Sequence, residues 1–413
     1  MIDFNTFSLD NGLRVIVHED PNVQIAVVNL LYDVGSKDED PEFTGLAHLF
    51  EHLMFGGSRN VDRYDEQLQK AGGENNAFTS PDITNYYMTL PAQNIETGFW
   101  LESDRMLGLS FDPKVLEVQR SVVIEEFKQR YLNQPYGDVW MKLRPLAYHD
   151  HPYRWPTIGK DIDHIEKVTM EDVKSFFYKY YVPNNATLVV AGNIKLDKVK
   201  GQVEKWFGSI PSQERPLRSL PMERKQAEKR RLTVESNVPM DALYMTFHMP
   251  GRFSEDYQAA DLLSDVLGRD KSSRLYKKLV REDKLFNTIN AHVTGSIDPG
   301  LLVISGKLNQ GIHIAQAEQA VWQVIDELKM NRVTEKELIK VKNQAESTLL
   351  FAEVEILNRA VSLAMASLSG DINTVNREVD KIRNVTSDSV TRTFDELLTP
   401  ANASVLHYLS ENN

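Results

Sequence analysis

The chain has 413 residues, 41% hydrophobic and 26% charged, with 59 Asp and Glu against 47 Lys and Arg and no cysteine. Without Cys there is no disulfide framework, thiolate nucleophile, iron–sulfur cluster or thiolate metal site, so only His and carboxylates can hold a metal. The net charge of −12 argues against a nucleic-acid partner, which calls for concentrated positive charge.

The opening residues, MIDFNTFSLDNGLRVIV, carry neither the basic region nor the apolar stretch of a signal peptide. Apolar runs such as 25–32 are too short to span a bilayer. The expectation is a cytoplasmic chain that crosses no membrane. In chain order, runs at 13–17, 26–32, 86–90 and 187–191 predict strands. The 3.6-residue period predicts helices over 45–55, 63–71, 93–103, 113–131 and 170–180. Strands follow one another before long helices intervene. That is the pattern of an α+β fold, a sheet with helices on one face, rather than a doubly wound parallel sheet.

Residues 211–231 hold Pro211, Pro216 and Pro221 among many charges, with little apolar periodicity. They read as a linker between a domain at 1–210 and another at 232–413. The two halves repeat each other. Val168-Thr169 before one helix and Pro183-Asn184-Asn185 before a strand recur as Val385-Thr386 and Pro400-Ala401-Asn402, at an offset of 217. Gly35 and Asp40 recur as Gly251 and Asp256 at an offset of 216. One spacing kept at both ends points to an internal duplication.

The segment 43–55 carries the chemistry. Leu46, Ala47, Leu49, Phe50, Leu53, Met54 and Phe55 make this helix apolar nearly all round, so it belongs in the interior. His48, Glu51 and His52 nevertheless share one face of it, at i, i+3 and i+4. Burying them without partners costs about 1–3 kcal/mol each. A zinc ion relieves that cost: two imidazoles at i, i+4 reach one tetrahedral ion, and the intervening Glu faces its water. Catalytic zinc needs a third protein ligand. In the helix after Asp112-Pro113, Val115, Val122 and Glu126 fall on one apolar stripe and Glu125 on the next, beside Val118. Periodicity leaves the choice between Glu125 and Glu126 open.

The pattern His48-Leu49-Phe50-Glu51-His52, followed by Arg120-Ser121-Val122-Val123-Ile124-Glu125-Glu126, resembles the inverzincins, the pitrilysin, insulinase and mitochondrial processing peptidase family of zinc proteases. The resemblance covers essentially the whole chain. It implies duplicated α+β domains, each a mixed, mainly antiparallel sheet with helices on one face. It also implies one Zn2+ per chain on His48, His52 and Glu126, with Glu51 as general base in peptide hydrolysis. Where relatives often carry another Glu seven residues earlier, this chain has Gln119.

Gly72-Gly73-Glu74-Asn75-Asn76-Ala77-Phe78-Thr79-Ser80-Pro81-Asp82 reads as a glycine turn into a short strand that Pro81 ends. Such an edge can add an extended peptide as one more strand. The resemblance implies that Asn76 and Ala77 touch the substrate backbone. In the second half, His48, Glu51 and His52 become Ser264, Leu267 and Gly268, so the metal site is not repeated. Relatives use that half to supply an Arg and, seven residues on, a Tyr. Arg281 matches the Arg, and Thr288 stands at the Tyr position. Two domains are half of the four found in the largest relatives. The expectation is therefore a homodimer, or a heterodimer with a related subunit lacking zinc. The rival readings are a non-catalytic scaffold of the same fold and a zinc hydrolase of a non-peptide substrate.

Overall fold

Aliphatic and β-branched runs in the first half pair into a six-stranded sheet. Its strands are β1 (Asn5–Ser8), β2 (Arg14–Glu19), β3 (Ile25–Tyr32), β4 (Glu74–Thr79), β5 (Thr84–Pro91) and β6 (Ala186–Gly192). Their order is β1-β2-β6-β3-β5-β4. Only the β2–β6 pair is parallel. A computed structural model describes residues 1–214 and 218–411 of the chain; residues 215–217 of the expected linker lie outside the described residues. The second sheet contains β7 (Arg230–Ser236), β8 (Ala242–Met249), β9 (Phe286–Val293), β10 (Gly300–Leu308) and β11 (Ala403–Ser410). Its order, β7-β11-β8-β10-β9 with β7 and β11 parallel, repeats β2-β6-β3-β5-β4. The local signals repeat too. Thr169 and Thr386 each accept an amide hydrogen bond in a capping box, and 3-10 turns at Pro183–Asn185 and Pro400–Asn402 lead into β6 and β11. These are the mixed, mainly antiparallel α+β sheets expected.

The residues gather into two compact units. The first takes Met1–Gln129, Trp155–Leu220 and Leu350–Arg377; the second takes Arg130–Arg154, Pro221–Leu349 and the chain from Glu378 on. Each unit therefore contains a segment from the other half of the sequence, for a physical reason. A strand buried on both faces, as every residue of β6 is, needs a second cover. In the first unit that cover is the helix Ile356–Ser367, with Ala360, Leu363 and Ala364 fully buried and Ser367 Oγ 3.1 Å from Thr187 Oγ1 of β6. Among the described residues no helix is long and apolar enough to cross a membrane.

In chain order the first helices are α1 (Leu46–Leu53), α2 (Tyr64–Lys70), α3 (Ile95–Leu107), α4 (Pro113–Phe127) and α5 (Val139–Ala147). In the second unit α5 plays the covering part, burying Val139 and Leu143 with Ala242, Leu406 and Tyr408. The helix expected over 113–131 is α4 followed by a π-helical turn, Lys128–Leu132.

Two buried carboxylates hold the first unit together around α1. Glu102 of α3 accepts from Arg105 Nη2 through both oxygens, at 2.6 and 2.7 Å, and from the Tyr64 hydroxyl at 2.9 Å. The Arg105 guanidinium lies 4.4 Å from the Tyr86 ring centre, 4.7 Å from Tyr64 and 5.3 Å from Phe55. Each partner in this ion pair is 1% exposed. The second carboxylate is Glu39. It accepts from the amides of Gly45 (3.0 Å) and Ala47 (2.8 Å), capping α1 in place of an N-cap side chain. Burial pushes its carboxyl up to about 8, against the pull of those amides toward the anion.

Replacing Glu102 with Ala strands a buried guanidinium, so we expect a loss of about 3–5 kcal/mol in denaturant unfolding; a change below about 1 kcal/mol would contradict this. Glu39 titrates higher in the folded chain than its ordinary 4.5. Its contribution is therefore complete below about pH 4.5 and lost as pH rises through about 8. In chelator, Tm should fall over that interval, and less steeply in Glu39→Gln, which cannot ionise. Parallel curves would contradict the assignment.

Candidate metal centre

The site is built on α1, and α1 starts from a constrained glycine. Gly45 has φ +95°, in the left-handed region, and a Cβ there would lie 2.6 Å from the Ile158 carbonyl oxygen. The loop before it is tied down by Trp155 Nε1 donating to the Ser36 carbonyl (2.9 Å) and by the Thr44 amide donating to His164 Nδ1 (3.0 Å). Leu46, Ala47, Leu49, Phe50 and Leu53 are buried, with Phe50 stacked 5.0 Å from Tyr181. The helix is not enclosed all round, as its composition suggested. One face stays half-open, and it carries His48, Glu51 and His52.

The second element is α4, whose first turn is capped by Asp112 accepting from the Lys114 amide at 2.8 Å. Its packed stripe is Leu116, Val123 and Phe127, one position round from the stripe read off the sequence. Val118 and Val122 are 58% and 44% exposed. This rotation sets Glu126 on the border between core and solvent, while exposed Glu125 binds Lys128 Nζ at 2.8 Å. Glu126 Oε2 lies 3.4 Å from His52 Nε2 and 3.8 Å from His48 Nε2, and the two imidazole centres are 4.9 Å apart. The three side chains are 18%, 24% and 13% exposed. All three ligand atoms fall within 4.8 Å of one another. Tetrahedral zinc, at about 2.0–2.2 Å from N and O donors, separates them by about 3.3–3.5 Å. The donor set and its spacing fit zinc. Among the described residues no other group of three His, Asp or Glu converges this way.

Glu51 Oε2 accepts a 2.6 Å hydrogen bond from the Thr79 hydroxyl. Thr79 ends β4, an edge strand of the sheet. Along β4, Asn75, Ala77 and Thr79 are half-buried, with Asn75 bonded to Asp65 of α2, while Glu74, Asn76 and Phe78 are exposed. The Ala77 amide donates to Asn76 Oδ1 at 2.8 Å. The ligand group, Glu51, Asn76 and Ala77 thus share one unit. Arg281 belongs to the other, exposed on the π-helical turn Tyr276–Glu282, and Thr288 is exposed on β9. There the helix matching α1, Tyr257–Gly268, buries Ser264, Leu267 and Gly268 as core.

Neither Thr79 nor Glu39 stands in a motif. The period of two along β4 puts Thr79 on the same side as Ala77, the one signal that pointed to it. Glu39 acts across a loop, and no spacing rule reveals it.

Residues 14–160 match the family model described as Insulinase (Peptidase family M16), and residues 167–345 match that described as Peptidase M16 inactive domain. The chain is 30% identical over 341 residues to the zinc protease PqqE of Helicobacter pylori, covering 81% of this chain and 77% of that protein. It is 28% identical over 349 residues to YmxG of Bacillus subtilis, described as an uncharacterized zinc protease, covering 84% and 83%. Among solved structures it resembles a protease from Helicobacter pylori at a TM-score of 0.92 and 26% identity, over 99% of this chain and 100% of that one. The periplasmic protease PqqL from Escherichia coli shares the fold at a TM-score of 0.81 and 20% identity, over 100% of this chain but 48% of that one. With its two sheets, its zinc-compatible group of ligands and relatives that span most of its length, the chain belongs to the insulinase, or M16, family of peptidases.

Proposed function

We propose that the chain is a zinc-dependent endopeptidase acting on peptides or unfolded segments, with His48, His52 and Glu126 as metal ligands and Glu51 as general base. The observation that carries this reading is the approach of two imidazole nitrogens and one carboxylate oxygen to within 4.8 Å, with Glu51 on the same helix face. Bound zinc would polarise the scissile carbonyl and acidify the attacking water. The chain's own groups do the rest. Glu51 takes a proton from the water through Oε1 and passes it to the leaving amine nitrogen, as the C–O bond forms and the C–N bond breaks. The edge of β4 receives the substrate as an added strand, with Asn76 and Ala77 against its backbone. Such an edge selects extended chains, because a folded substrate has already paired its own backbone groups.

The halves 1–210 and 232–413, joined by 211–231, are one duplicated pair of domains, of which the first carries the chemistry. The chain spans 48% of the Escherichia coli protease. That ratio supports pairing with a second chain, either another copy or a related subunit without zinc. Arg281 is assigned to the substrate, a role its exposure permits.

Glu51→Gln should keep one zinc per chain and lose about 10²–10⁴-fold in peptide hydrolysis. Glu126→Ala should lose the zinc, and Glu125→Ala should not. Metal analysis beside a peptide-cleavage assay checks all three, and an active Glu51→Gln variant would sink the reading.

A further inference from the structure

A glutamate side chain on a half-open helix face has several rotamers to choose from, and a general base works only in the one that meets its proton. Glu51 is held in one by the 2.6 Å bond from Thr79 Oγ1 to its Oε2. With Oε2 engaged, Oε1 is the oxygen left for a water.

Thr79 is itself held by more than a hairpin needs. It stands opposite Thr84 of β5, at the mouth of a turn formed by residues 80–83. Within that turn the Ser80 amide donates to the Ile83 carbonyl at 2.8 Å, and Ser80 Oγ accepts from the amides of Asp82 (3.1 Å) and Ile83 (3.0 Å). The loop after β3 then grips the turn from outside. The amides of Ser36 and Lys37 donate to the carbonyls of Ser80 (3.2 Å) and Pro81 (2.9 Å). Gly35 passes so close that a Cβ on it would lie 2.4 Å from the Pro81 oxygen. Lys37 Nζ meets Asp82 Oδ1 at 2.7 Å, with side chains 4% and 7% exposed. A buried ion pair is weak evidence for stability, because desolvation offsets much of the attraction. Here it locks a turn against a loop, and the strand end carrying Thr79 is fixed with it. Thr79 is also β-branched, so its χ1 has few alternatives.

We propose that Thr79 is a positioning residue that orients the Glu51 carboxylate for proton transfer. This rests on Glu51 being the general base, as proposed above. Because β4 is also the edge on which the substrate would pair, one strand sets both the register of the peptide and the direction of the base.

The test compares wild type, Thr79→Val, Thr79→Ser and Glu51→Gln, each loaded with zinc, on a quenched fluorescent peptide. Valine keeps the branched shape and removes the hydroxyl; serine keeps the hydroxyl. For Thr79→Val we expect kcat to fall about ten- to a hundredfold, with KM, zinc content and Tm close to wild type. Thr79→Ser should recover most of kcat. Crystal structures should show Glu51 turned from its present rotamer in Thr79→Val and unmoved in Thr79→Ser. The proposal is overturned if Thr79→Val keeps wild-type kcat, if Thr79→Ser is equally slow, or if Glu51 does not move in Thr79→Val. If Glu51→Gln hydrolyses the peptide as wild type does, the general-base reading fails and takes this proposal with it. An inactive Glu51→Gln beside an unimpaired Thr79→Val overturns Thr79 alone.

Discussion

Two imidazole nitrogens and a carboxylate oxygen meet at 3.4–3.8 Å between α1 and α4, and the packing around those two helices serves to keep them there. Three lone-pair donors directed at one point repel each other unless a cation sits among them. A divalent metal is the fitting cation, because it accepts from all three at once. Such a site works only if the helices that present it cannot relax apart.

The surroundings resist that relaxation at each end of α1. At its start, Gly45 allows the backbone to enter against Ile158, and Glu39 takes up the first amides. Beyond its end, Phe55 packs over the buried Arg105–Glu102 pair. Opposite, α4 seats Leu116, Val123 and Phe127 in the core, which fixes its rotation and hence where Glu126 points. The second unit has the same strand order but fills the equivalent helix with Ser264, Leu267 and Gly268. A duplicated scaffold has thus kept its packing in both copies, with the polar face present in only one.

Much of this was legible in the sequence because it is local. The helices at 46–53 and 113–127, the strands at 25–32 and 186–192, and the shared face of His48, Glu51 and His52 all follow from periods of 3.6 and 2. The duplication was legible because turns and caps recur at a fixed offset. What escaped depends on tertiary packing. Periodicity could not choose between Glu125 and Glu126, because the choice turns on which stripe of α4 the core accepts, and Val122 proved exposed. Nor does any spacing reveal that 350–377 joins the first unit and 130–154 the second. The need for a second cover over a doubly buried sheet appears only once the sheet exists. The bond from Thr79 to Glu51 and the Lys37–Asp82 pair behind it join residues 28 and 45 positions apart. They lie beyond the reach of any helical or strand rule.

The most direct test of the account is an anomalous difference map from crystals of the zinc-loaded protein, recorded on both sides of the zinc absorption edge. The account predicts one peak per chain, bonded to His48 Nε2, His52 Nε2 and a Glu126 carboxylate oxygen at about 2.0–2.2 Å, with Glu51 nearby but not a ligand. No peak there, a peak held by Glu125, or Glu51 bound directly to the ion would contradict it.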